Sequence, residues 1–258
     1  MTTSMPTEPA AAEFDSLIDE ARTAALSGWD FSFLAGRTTS EILPWSYLDL
    51  AVTASRTATR VLDIDTGGGE VLALIKPPPG SVAVEPHPPN VAVATAALAP
   101  LGVQVRARLT SESPVSDAAF DLVLNRHGLL DAAEISRVLQ PGGGFLTQQV
   151  GSRNDLELNE AFGLEPVKFD SALDNLEQAR ELLEAAGLTI TRAEEAFPRT
   201  RYLDVGAIVL QLRAAPWQVH GFDIDRHRQR LQAIHVKIIQ HGSFTVTSHR
   251  LLLEATRN

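Results

Sequence analysis

Short aliphatic runs alternate with stretches of helical period along most of this chain. Val61, Leu62 and Ile64 make a compact apolar run that stops at Asp65-Thr-Gly-Gly-Gly69, and Ser81-Val-Ala-Val-Glu85 repeats the form in the next segment. Brief apolar runs bounded by turn formers read as strands buried on both faces, as in a parallel sheet. Gly102 to Leu109, Asp117 to Asn125 and Phe145 to Val150 continue the series, the last after the turn Pro141-Gly-Gly-Gly144. Helices are predicted between them from about Gly69 to Ile75, from Pro86-His-Pro-Pro-Asn90 to Leu98, and from Asp131 to Leu139, with Pro suited to a first helical turn. An amphipathic helix over Leu173 to Ala186, ended by Gly187, precedes a sixth strand from Leu188 to Glu194. Strands alternating with helices predict a doubly wound parallel sheet.

The remaining segments carry a different pattern. Residues 1–10 have nothing to bury and are expected to form a disordered tail. From Ala11 to Leu26, Phe14, Leu17, Ile18, Ala21 and Ala25 recur at helical spacing, and Gly28 follows. Trp29, Phe31, Phe33, Trp45 and Tyr47 then crowd the stretch before a helix over Leu48 to Ser55, so residues 11–56 are expected to form a helical, aromatic cap. Arg37, in the same stretch, is read as either a ligand contact or a solvated side chain. Asp204 to Arg213 and Ile224 to Ile239 read as helices of an inserted lid spanning 197–241, and Phe244 to Ala255 as one last strand. Residues 57–196 and 242–258 would then make the core.

The 22 Lys and Arg against 32 Asp and Glu give a net charge of −10, which argues against a nucleic-acid partner. Cysteine is absent, which removes disulfides, thiolate metal sites and a thiol nucleophile; no metal site is expected. Without a signal-like run or an apolar stretch of about 18 residues, the expectation is a cytoplasmic protein with no membrane partner.

Candidate chemistry starts at the glycine turn. Glycines let a backbone close on a ligand, and an acid about 20 residues on is placed to bind ribose hydroxyls. Glu85, at the end of the second strand, lies 22 residues after Asp63. In an open parallel sheet the ligand lies at the carboxyl ends of the strands. Asp65 to Gly69, Glu85, Leu109 to Ser111, Asn125 to His127 and Gln148 to Gly151 are therefore expected to surround one cleft.

Taken together, Val61-Leu-Asp-Ile-Asp-Thr-Gly-Gly-Gly69, Val84-Glu85, Phe120-Asp-Leu-Val-Leu-Asn125 and Arg137-Val-Leu-Gln-Pro-Gly-Gly143 resemble the class I S-adenosylmethionine-dependent methyltransferases of the small-molecule type. The resemblance covers about Arg60 to Glu195 plus the final strand. It implies a Rossmann-like seven-stranded sheet whose last strand is antiparallel, and S-adenosylmethionine as cofactor. It also implies that Gly67 and Gly69 pass the methionine part, that Asp63 helps hold the ammonium, and that Glu85 takes the ribose hydroxyls. Pro86, Thr110, Ser111, Asn125 and Arg126 complete the implied cofactor set. Two departures stand out. Asp65 replaces the first loop glycine, with its carboxylate facing an ammonium or sulfonium charge as one reading, and no acid follows the third strand.

Methyl transfer is an in-line displacement, so the protein's task is alignment and handling of the acceptor's proton. His127, after the fourth strand, is the expected base, against the alternative of a histidine bonded to a neighbouring loop. His220 and His235 are read as surface residues. The acceptor pocket is expected from Trp29, Phe33, Trp45, Tyr47, Gln148, Tyr202 and Trp217, around a small-molecule acceptor, in a monomer or homodimer. The rival reading is a non-catalytic cofactor-binding or interaction protein that keeps the fold. A nicotinamide dehydrogenase fits less well, because Gly67-Gly-Gly69 lacks the Gly-x-Gly-x-x-Gly spacing.

Overall fold

The computed structural model describes residues 8–26, 31–108, 114–166, 173 and 175–258. Along the chain these form α1 (Glu8–Thr23), β1 (Thr38–Ser40), α2 (Tyr47–Ser55), β2 (Val61–Ile64), α3 (Glu70–Ile75), β3 (Val82–Glu85), α4 (Pro88–Leu98), β4 (Gln104–Ala107) and β5 (Phe120–Arg126). There follow α5 (Ala132–Val138), β6 (Leu139–Val150), α6 (Leu156–Phe162), α7 (Leu176–Ala185), β7 (Leu188–Ala196), β8 (Arg199–Tyr202), α8 (Val205–Ala214), α9 (Arg228–His241), β9 (Phe244–Thr247) and β10 (Arg250–Arg257). Two compact units divide the chain: one draws on segments 1–42, 153–169 and 197–248, the other on 43–152, 170–196 and 249–258.

The second unit holds a seven-stranded sheet in the order β4-β3-β2-β5-β6-β10-β7. Neighbours from β4 to β6 pair in parallel, and β10 runs antiparallel to both β6 and β7. The chain steps outward from β2 to β4, then restarts on the other side of β2 at β5. This reversal is the switch point where such sheets bind ligands. Strand alternation sends side chains to two cores. Leu62, Ile64, Val123, Phe145, Leu251 and Leu253 pack with Ile135 of α5 and Leu183 of α7. Val61, Leu122, Leu124, Leu146 and Leu252 pack with Ala51 of α2, Leu72 of α3 and Leu98 of α4. Because successive residues alternate faces, Asp63, Arg126 and Gln148 share the α2/α3 face, while Asn125, Thr147 and Gln149 share the α5/α7 face.

The first unit has its own core, in which Phe14 and Ile18 of α1, Phe162 of α6, Ile208 and Val209 of α8 and Leu231 of α9 pack with Tyr202, Phe244 and Val246 of a small antiparallel sheet ordered β1-β8-β9. Arg37 is not solvated there. It forms a two-point pair with Asp204, at 2.8 Å from Nε and 2.5 Å from Nη2, and reaches Glu20 at 2.9 Å, while Asp204 also caps α8 by accepting from the Ala207 amide. This pairing is internal to the unit, so the reading of Arg37 as a ligand contact is withdrawn.

Further expectations change. The single last strand expected over Phe244 to Ala255 is two strands: β9 pairs with β8 in the small sheet, and β10 enters the large one. The break at Ser248-His249 falls where apolar residues stop serving one core and start serving the other. The turn expected at Pro141 to Gly144 is instead the start of β6, joined to β5 with a register irregularity. His235 is buried against Phe14 rather than exposed. Of the expected disordered tail, residues 1–7 lie outside the described residues and Glu8 to Ala10 open α1.

Candidate functional site

The turn after β2 is held from both sides. Gly69 has φ +84° and a Cβ there would lie 2.9 Å from the Leu98 side chain, so glycine is what lets α3 start against α4. Glu85, buried at the end of β3, accepts from the Gly67 amide through Oε2 and from the His87 amide through Oε1, both at 2.7 Å. Its carboxylate thus links the turns that follow β2 and β3. Asn90 Nδ2 also reaches Oε1, at 3.5 Å, and Oε2 keeps a lone pair for a further donor.

Asp63 lies at the carboxyl end of β2 with 8% of its surface exposed. Burial pushes its carboxyl up to about 7; the Asp65 and Glu85 charges add to the rise, while Thr66 and Arg126 oppose it. The Thr66 hydroxyl lowers this value by proximity although it makes no hydrogen bond of normal geometry. Three carboxylates around one turn, one of them reluctant to ionise alone, suit a ligand that brings positive charge.

Asp65 behaves differently. It stands at φ +59°, a conformation that favours glycine, which is why a glycine-like turn survives an aspartate at this position. Its Oδ2 accepts from the Leu129 amide at 2.8 Å and its Oδ1 meets Arg108 at 3.2 Å. Gly128 makes room: a Cβ there would lie 2.6 Å from the Asp65 side chain. The carboxylate is therefore engaged with the turn after β5.

Asn125 is fully buried and bonded within the sheet. Its Nδ2 donates to the Ile64 carbonyl at 3.2 Å, and its Oδ1 accepts from Thr147 at 3.3 Å and from Gln149. Gln149 also donates to Thr147 at 2.8 Å. On the opposite face Arg126 is exposed and lines a cavity of about 250 Å³ with Leu43, Trp45, Tyr47, Leu48, Val71, Leu74 and Gln148. The Tyr47 hydroxyl is buried without a hydrogen-bond partner. Burial raises its pKa well above the usual value, with Asp63 adding and Arg126 opposing.

His127, at φ +60°, is joined to this wall. Its amide donates to the Gln148 carbonyl at 2.8 Å, its Nε2 lies 2.9 Å from Gln148 Nε2, and Gln148 Oε1 accepts from Trp45 Nε1 at 2.8 Å. An indole N–H only donates, so it fixes which end of the Gln148 amide is oxygen. The amide nitrogen in turn only donates, so His127 Nε2 must accept and the ring proton sits on Nδ1. Close packing and the Arg126 and Arg250 charges also hold the imidazole pKa well below its usual value. The residue is exposed by surface area, which weakens the effect of burial, and the tautomer rests on the Gln148 contact. His127 is a neutral donor here, with the nitrogen needed for base duty already occupied.

Of the other expected positions, Pro86 is exposed beside Glu85, and Trp29, Thr110 and Ser111 lie outside the described residues. Trp45, Tyr47 and Gln148 come together as expected. Phe33 and Tyr202 belong to the core of the first unit, and Trp217 is 44% exposed. Sequence reasoning missed the cavity walls Leu43, Leu48, Val71 and Leu74, whose helical spacing reads simply as core.

Residues 62–147, the segment holding the glycine turn, Asp63, Glu85 and the Asn125 strand, match the methyltransferase-domain family. This segment is similar to a methyltransferase domain, and the fold around it is Rossmann-like. Its sheet order, with one antiparallel strand next to the edge, is that of solved structures that the chain resembles in fold. A protein of Bacillus halodurans assigned as a methyltransferase is 17% identical, with a TM-score of 0.58 over 81% of this chain and 98% of the other. The YcgJ protein of Bacillus subtilis is 18% identical, with a TM-score of 0.57 over 82% and 98%. The [4+2]-cyclase SpnF is 20% identical, with a TM-score of 0.52 over 81% and 80%. A search of curated proteins returns no match. Among the described residues, no helix of the methyltransferase domain or its partner unit is long and apolar enough to cross a membrane.

Proposed function

We propose that this protein binds S-adenosylmethionine at the β2, β3 and β5 strand ends and transfers its methyl group to a small-molecule acceptor. The observation that carries this reading is the pair Asp63 and Glu85 flanking the glycine turn: one is a buried acid ready for a cation, the other a carboxylate already oriented by the Gly67 and His87 amides. In this reading Glu85 accepts from the ribose hydroxyls, Asp63 balances the ammonium, and Gly67 and Gly69 leave the backbone open to the methionine part. The bound sulfonium supplies an electrophilic methyl group. The chain's own contribution is to align the acceptor in line with that methyl and to exclude water. His127 enters as a hydrogen-bond donor that orients the acceptor, so the acceptor's proton leaves by another route or is absent at the start.

Calorimetry with S-adenosylmethionine, S-adenosylhomocysteine and NAD tests this. Binding of the first two and not the third is expected, and NAD binding alone would refute it. The rival, a domain that keeps the fold without transferring methyl groups, draws support from the fold likeness to a cyclase and from Asp65, which is engaged with Arg108. Methyl transfer to none of a broad acceptor panel, with cofactor bound, would favour it.

A further inference from the structure

The cavity on the α2/α3 face has an unusual balance of polar groups. Its walls are Leu43, Trp45, Leu48, Val71 and Leu74, and Leu74 is 62% exposed at the rim. Among the described residues no carboxylate lines it. Gln148 is held in place, with Trp45 on its oxygen and His127 at its nitrogen, so that it presents one further N–H and one further lone pair. Two groups are left without a partner: the Arg126 guanidinium, which only donates and forms no hydrogen bond or ion pair with a described residue, and the unpaired Tyr47 hydroxyl. A buried hydroxyl without a partner has given up its hydration for nothing in return, so a ligand that supplies an acceptor there is favoured.

We propose that this cavity holds the methyl acceptor and selects one with an anionic oxygen head on a small apolar body, the head lying against Arg126 and Tyr47. This rests on the methyltransferase reading for the word acceptor, but the preference for an apolar anion is a property of the cavity itself. At about 250 Å³ the cavity is smaller than the roughly 300–1,000 Å³ of sites for drug-sized ligands, so the body is of the order of one ring or a short branched chain. A carboxylate or phenolate meets a guanidinium with charge-assisted hydrogen bonds, about twice as strong as neutral ones. An amine would face Arg126 with no counter-charge in the cavity wall.

The charged and titratable groups around His127 are Arg126 on β5 and Arg250 on β10, and both act in the same direction as the Trp45–Gln148 relay. The ring is held as the Nδ1–H tautomer and fixes the Gln148 side chain in the cavity wall.

Titration calorimetry with benzoate, benzamide and benzylamine, each with and without saturating S-adenosylhomocysteine, tests the proposal. Benzoate is expected to bind about tenfold more tightly than benzamide, and benzylamine not at all up to about 10 mM. Arg126→Gln should erase the benzoate preference. Tyr47→Phe, which keeps the ring, should weaken benzoate by about threefold. Nitrogen-15 chemical shifts of His127 at pH 7 should report the Nδ1–H tautomer, and Trp45→Phe should let both tautomers appear. Equal or tighter binding of benzylamine, or an unchanged preference in Arg126→Gln, overturns the proposal. So does competition between benzoate and S-adenosylhomocysteine, which would put the anion site at the cofactor's own carboxylate. If S-adenosylhomocysteine fails to bind while benzoate keeps its preference, the cofactor reading falls and the cavity assignment stands.

Discussion

The two faces of the sheet end in polar groups at the same level, and they treat them in opposite ways. On the α5/α7 face Asn125, Thr147 and Gln149 bond to one another and to the Ile64 carbonyl. On the α2/α3 face the Tyr47 hydroxyl is buried without a partner, Asp63 holds a raised pKa, and Arg126 has no bonded counter-ion among the described residues. A closed network is what a buried sheet needs for its own stability. An open one is tolerated where something else is to complete it. The residue types would not distinguish the faces; their hydrogen-bond accounts do.

The largest expected effect breaks the closed network. Asn125→Ala leaves the Thr147 and Gln149 donors short of an acceptor, and stability is expected to fall by about 2–4 kcal/mol in urea unfolding. Tyr47→Phe on the open face removes an unpaired hydroxyl and should change stability by less than about 1 kcal/mol, in the stabilising direction. Similar losses from both variants would erase the contrast between the faces.

Next is Glu85→Ala, expected to weaken S-adenosylmethionine by about 1.5–3 kcal/mol in calorimetry, with the fold intact by circular dichroism. Unchanged affinity would remove Glu85 from the site. A smaller effect concerns pH. The folded pKa of Asp63 is raised from 3.8 to about 7, so the native state keeps a proton that the unfolded chain releases. The stability this gives is complete below about pH 4 and is lost as pH rises through about 7, by something on the order of 1 kcal/mol or more. Asp63→Asn should flatten that slope, and a cationic ligand should bind the parent with proton uptake by buffer below pH 7. The smallest effect is at Asp65. Because its oxygens are occupied by Leu129 and Arg108, Asp65→Asn should weaken S-adenosylmethionine and S-adenosylhomocysteine equally, by about 1 kcal/mol or less. A selective loss for the sulfonium form would restore Asp65 to direct charge compensation.

Most of the large sheet was legible because its strands are apolar runs of ordinary length, each followed by a helix period or a turn. The glycine turn and Glu85 were legible for a similar reason: their chemistry depends on spacing along the chain. The small sheet was not. Thr38 to Ser40 and Arg199 to Tyr202 are short and mostly polar, with only Tyr202 buried, so neither period registers. The division of Phe244 to Ala255 was invisible because both halves are apolar and only tertiary packing assigns them to separate cores. At the site, the bonding of His127 was not legible because it depends on Trp45 and Gln148, which lie 82 residues before and 21 after it in sequence.

β7 has β10 as its sheet partner, yet 53 residues, nearly all of them belonging to the other compact unit, separate Ala196 from Arg250. The edge of the sheet is thus joined by a pairing of long sequence separation, which chain entropy places late in folding. Until β10 arrives, β6 shows one unpaired edge and β7 two, each a template for pairing with another chain. The same antiparallel strand that completes the native sheet is therefore the one whose delay exposes the protein to aggregation, and a unit that folds quickly between its two partners shortens that exposure.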